Sequence, residues 1–171
     1  DDHCRSLAAC RAAIDSGCTS IMMDGTLLED GRTVASYDYN VRMTRAAVDC
    51  AHALGVTVEA ELGVLGSLET MRYEVDAAGA GISRTRAELL TDPAQAGDFI
   101  ARSGCDALTV AIGSIHGPRK LARAPTTTVL DIDRLRAIHA RIPATPLVLH
   151  GASSIPMELL ERIRAHGGAI D

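Results

Sequence analysis

The strongest constraint on this chain is a unit that recurs along it. "AAIDSGCTSIMMDG", "CAHALGVTVEAELG" and "IARSGCDALTVAIG" each run from a helical pattern through a glycine into a short apolar strand. A further unit, "IHARIPATPLVLHG", uses proline as the breaker instead. Gly17, Gly55 and Gly104 sit where a helix ends on a left-handed residue. The strands that follow are short, apolar and partly β-branched, as strands buried on both faces are. Apolar residues at helical spacing predict helices over 5–16, 39–54, 93–103, 131–141 and 155–166. Asp92 before Pro93 reads as an N-cap followed by a first-turn proline, and Ser154 with Pro156 opens the last helix in the same way. Helices alternating with buried strands predict βαβ units around a parallel sheet, hence the α/β class. No linker or low-complexity segment interrupts residues 1–171, so one domain is expected. The long glycine-containing stretch at about 66–90 reads as a mobile loop after the second strand.

Composition removes several classes of function. The chain has 171 residues and a net charge of -5, with no block of Lys or Arg, which argues against nucleic-acid binding. Aromatics are only 2%, too few for a base-stacking surface. No run of about eighteen apolar residues occurs, so no membrane span is expected. The five cysteines form no C-x-x-C pair and read as small buried hydrophobes of a reducing, cytoplasmic setting.

The strand ends carry the chemistry. The first strand ends at Asp24 and Gly25, and the second carries Glu59 and Glu61. The third leads to His116, and "PLVLHGASSIP" places His150 at the end of a fourth strand expected over 147–150. His3 stands just before the first helix, where a preceding strand would leave it. In parallel α/β folds this carboxyl edge is where ligands bind. Three imidazoles with a carboxylate suit a catalytic divalent zinc, which takes three protein ligands and keeps one position open. The turn "GASS" and the stretch "HGPRK", with Gly117 and Lys120, offer backbone N–H groups, hydroxyls and a cation to an anion. Together they predict a small phosphorylated substrate with an oxygen on the metal. His52, His139 and His166 fall in or at the ends of helices and read as structural or solvated.

"VEAELGVLGSLET", "GSIHG" and "LVLHGASSIP" together resemble the class II, zinc-dependent fructose-bisphosphate aldolases, and "SIMMDGTLLEDGRTVASYDYNV" resembles their Calvin-cycle branch. The resemblance implies a (β/α)8 TIM barrel, present here only in part, with the first strands and the last strand outside the chain. It implies Zn2+ on His3, His116 and His150, with Asp24 and Glu61 at an alternative or second divalent metal site, and room for a monovalent cation. Asp2 then exchanges a proton with the substrate hydroxyl, and Glu69 moves the carbon-bound proton. Gly117, Gly151, Ala152 and Ser153 match the phosphate contacts. The implied reaction is reversible cleavage of fructose 1,6-bisphosphate to dihydroxyacetone phosphate and glyceraldehyde 3-phosphate, in glycolysis, gluconeogenesis or the Calvin cycle. Aldolases for tagatose 1,6-bisphosphate or sedoheptulose 1,7-bisphosphate share these residues, and an inactive truncated piece is the non-enzymatic alternative. A homodimer or homotetramer is implied for the full-length protein. A Schiff-base mechanism is not expected, because Lys120 is the only lysine and lies in a loop.

Overall fold

The computed structural model of the chain describes residues 3–31, 33–63, 89–113, 130–151, 155 and 157–165. The elements run α1 (Leu7–Asp15), β1 (Ser20–Met23), α2 (Tyr37–His52), β2 (Thr57–Leu62), α3 (Pro93–Ser103), β3 (Ala107–Val110), α4 (Ile132–Arg141), β4 (Leu147–Val148) and α5 (Met157–Ala165). The strands form one parallel sheet in the order β1-β2-β3-β4. Neighbours in sequence are neighbours in space, with a helix between each pair, as in successive βα units of a barrel.

Local chemistry explains the element ends. Ser6 and Ser36 cap α1 and α2, their hydroxyls accepting from Ala9 N–H and Tyr39 N–H. The cap at Ser36 starts α2 two residues before the apolar pattern does. Asp92 caps α3 by accepting from Ala94 N–H, with Pro93 following it at the start of the helix. Gly104 closes α3 at φ 72°, and Gly17 and Gly55 take φ of 93° and 71° after the two preceding helices.

The sheet has two faces because successive side chains alternate. Ile21 and Met23 of β1, Val58, Ala60 and Leu62 of β2, and Leu108 and Val110 of β3 enter the main apolar cluster with Val48, Ala51, Phe99 and Ile138 from the helices. The opposite face carries Met22, Glu59, Glu61 and Thr109. The register sets Met22 beside Glu59 and Glu61 beside Thr109. Asp24 and His150 continue the same alternation past the ends of β1 and β4. The second face is therefore polar, and it meets the carboxyl edge.

Two features depart from expectation. The fourth strand is only Leu147–Val148 and is half-buried, where 147–150 was expected as a fully buried strand. Among the described residues it pairs with β3 alone. A bridge from Cys4 to Met23 also adds a short parallel contact outside β1, with Cys4 N–H donating to Met22 O at 2.9 Å and Asp24 N–H to Cys4 O at 2.9 Å. His3 is thereby fixed beside the end of β1.

Candidate metal centre

His3, Asp24, Glu59, Glu61 and His150 meet at this edge. His3 takes φ 53°, a left-handed conformation that no other non-glycine residue adopts among those described. Such strain costs roughly 1–3 kcal/mol and persists where surrounding structure imposes it. Its Nδ1 lies 3.3 Å from Asp24 Oδ2 and 3.7 Å from Glu61 Oε2. Asp24 Oδ1 accepts from the Thr26 hydroxyl at 2.6 Å and from Thr26 N–H at 3.2 Å, while Arg5 Nε stands 3.5 Å from Oδ2. Burial by itself would raise the Asp24 pKa. The hydrogen bonds from His3 and Thr26 and the nearby positive charge outweigh it and hold the carboxyl below its ordinary 3.8.

The second imidazole is held from the other side. His150 Nε2 lies 2.9 Å from Glu59 Oε1, which also accepts from the Thr109 hydroxyl. Burial opposes ionisation of Glu59, but the bonds from His150 and Thr109 prevail and lower its pKa from 4.5. The remaining nitrogens of the two rings face each other: His150 Nδ1 is 3.2 Å from His3 Nε2, with the rings nearly perpendicular at 81°.

With each far nitrogen facing a carboxylate, the tautomer protonated there would turn the near nitrogen's lone pair toward the other ring. Two nitrogens so placed, 3.2 Å apart, can share a proton or a cation. Two nitrogens on one tetrahedral zinc, each about 2.0–2.1 Å from it, stand about 3.3–3.4 Å apart. The donor set therefore fits a zinc-type metal, with the carboxylate behind each histidine orienting the ring and raising its basicity. A second grouping shares His3: ligand atoms of His3, Asp24 and Glu61 lie within 4.8 Å of one another.

Of the residues singled out from sequence, the structure brings together His3, Asp24, Glu61 and His150. Gly151 follows His150 directly at φ 70°, in the left-handed region open to glycine. Asp2, Glu69, His116, Gly117, Lys120, Ala152 and Ser153 lie outside the described residues, as do Ser154, Pro156, His166 and nearly all of the 66–90 stretch. His52 pairs at 2.9 Å with Asp106 beneath the amino end of the sheet, and His139 lies within α4. Sequence reading noticed Glu59 but gave it no partner, and it passed over Thr109. The strict alternation of "VEAEL" was the available signal, since it puts both glutamates on one face.

The fold and the edge define a class: a parallel α/β barrel segment whose strand ends gather histidine and carboxylate side chains of the kind that could hold a metal. The profile of the family "Fructose-bisphosphate aldolase class-II" matches residues 1–169. The chain is 55% identical over 170 residues to a fructose-bisphosphate aldolase of Xanthobacter flavus, covering 99% of this chain and 48% of that protein. It is 56% identical over 170 residues to the plasmid-borne fructose-bisphosphate aldolase of Cupriavidus necator, covering 99% of this chain and 49% of that one. Among solved structures, a putative fructose-1,6-biphosphate aldolase from Coccidioides immitis superposes with a TM-score of 0.72 at 29% identity, covering 98% of this chain and 53% of its own. The YdjI aldolase of Escherichia coli K12 gives 0.65 at 30% identity, covering 94% and 46%. The chain belongs to the class-II fructose-bisphosphate aldolase family. It spans about half the length of the curated relatives it matches.

Proposed function

We propose that the protein containing this chain is a zinc-dependent aldolase that reversibly cleaves fructose 1,6-bisphosphate to dihydroxyacetone phosphate and glyceraldehyde 3-phosphate. The observation that supports this most directly is the pair of imidazole nitrogens 3.2 Å apart, each ring backed by a carboxylate. Family membership supplies the reaction class. His3 and His150, with His116, would hold the zinc, and Asp24 and Glu61 would offer a second position. Zinc supplies Lewis-acid polarisation of a substrate carbonyl.

The chain's own groups do the proton work. Glu69 takes the proton from the carbon beside the carbonyl of dihydroxyacetone phosphate. The electron pair left on that carbon forms the new C–C bond to the aldehyde carbon of glyceraldehyde 3-phosphate. Asp2 gives a proton to the aldehyde oxygen as it becomes a hydroxyl. Gly117, Lys120, Gly151, Ala152 and Ser153 hold phosphate, their backbone N–H groups suiting an anion. Among the described residues no helix is long and apolar enough to cross a membrane. A cytoplasmic homo-oligomer acting on central sugar phosphates is the setting we infer.

The test is metal analysis and fructose 1,6-bisphosphate cleavage for the whole protein and its His150→Ala variant. Loss of both zinc and turnover is expected. Full zinc occupancy in the variant would remove His150 from the ligand set.

A further inference from the structure

The metal-dependent reading leaves open what holds Asp24 and Glu61 apart at a usable distance. They arrive on different strands, and the β1–β2 ladder stops at Met23↔Ala60, one residue short of both. Among the described residues no β1–β2 pairing continues past that rung, and a residue from the first turn of α2 reaches both backbones there. Asn40 is 4% exposed, and its Nδ2 donates to the backbone carbonyl of Glu61 at 2.8 Å. Its other side presses on Gly25, the residue after Asp24. A Cβ at position 25 would stand 2.3 Å from Asn40 Oδ1 and 2.9 Å from Asn40 Cα, so only glycine lets the two backbones meet. The amide is fixed in turn by Thr44, whose hydroxyl donates to Asn40 Oδ1 at 3.3 Å.

Asparagine is a poor residue for this place on local grounds. It disfavours helix interiors, and a buried amide must find partners or lose its hydration. Its cost in α2 is offset by tertiary contacts, and those contacts lead to the backbone of Glu61 and of Gly25, the residue after Asp24.

We propose that Asn40 is a positioning residue. By bonding Glu61 and backing Gly25, it sets the Asp24–Glu61 spacing and hence the affinity of the His3–Asp24–Glu61 position for a divalent metal. It acts through the two backbones and is not itself a ligand. The inference rests on the metal-dependent reading, and the test separates the two.

The experiment titrates the metal-free whole protein with Zn2+ by calorimetry and with Co2+ by visible absorption, which reports ligand geometry. Glu61→Gln identifies the binding step that belongs to this position. Asn40→Ala should weaken that same step by about 10–100-fold, the range for removing a group that orients metal ligands. It should also change the Co2+ spectrum. Asn40→Ser, which keeps a shorter donor, should fall between and serves if the alanine variant does not fold. Thermal melts of the metal-free variants separate a structural effect from a positioning one. A lowered melting temperature with the binding step and Co2+ spectrum unchanged would overturn the inference. If the wild type binds no divalent metal, the metal reading fails and this inference falls with it.

Discussion

Replacing Glu59 by glutamine isolates the charge behind His150. Glu59 Oε1 accepts from both His150 Nε2 and the Thr109 hydroxyl, and a glutamine oxygen in the same place can accept from both. Shape and hydrogen-bond count are kept, and only the negative charge goes. The side chains of His150 and Glu59 are 12% and 21% exposed, so solvent screens the pair little. A hydrogen bond to a charged group contributes about 1.5–3 kcal/mol and a neutral one about 0.5–1.5, which puts the loss to the metal-free fold near 1 kcal/mol. The effect on metal binding should be larger, because an anion behind the ring makes the near nitrogen a better donor. About 10–100-fold weaker zinc binding is expected, or roughly 1.4–2.7 kcal/mol. Competition with a chromophoric chelator gives the zinc dissociation constant, and denaturant unfolding of the metal-free protein gives the stability term. Equal zinc affinity in wild type and variant would refute the argument that the carboxylate tunes His150.

Two further outcomes concern the scaffold. Phe99 is fully buried between the helices and the sheet, so Phe99→Ala should destabilise the fold by about 3–5 kcal/mol in denaturant unfolding. Asp106 accepts from Val58 N–H at 2.7 Å and His52 Nε2 at 2.9 Å. Burial pushes its pKa up, but these bonds win and lower it from 3.8, so its stabilising contribution is present above that value and lost as pH falls below it. Asp106→Asn should flatten that part of the acid-unfolding profile, which a pH series of melts would show.

Much of the architecture can be read from the chain because it depends on neighbours in sequence. Gly104 ends α3 because a left-handed residue closes a helix without a Cβ penalty, and Asp92 and Pro93 start that helix for equally local reasons. The helix–breaker–strand rhythm suffices for a parallel sheet, since a helix between two strands returns the chain to the same end. The period of two likewise puts Glu59 and Glu61 on one face before any partner is known.

The partners themselves are a matter of tertiary structure. His3 and His150 are 147 residues apart in sequence, and His150 and Glu59 are 91 apart. Alternation tells which face a side chain takes but not which strand lies beside it. The 3.2 Å approach of the two imidazoles joins a residue beside β1 to one beyond β4, strands that are not neighbours in the sheet, so no pairing of adjacent strands foretells it. Asn40 shows the same division of labour. As a residue of α2 it looks like a weak helix former, and its bond to Glu61 exists only because the helix packs across the ends of β1 and β2. Composition and periodicity act over a few residues and so determined the elements and their faces. The distances that make a metal centre depend on the sheet register and on helix packing, which only the folded chain decides.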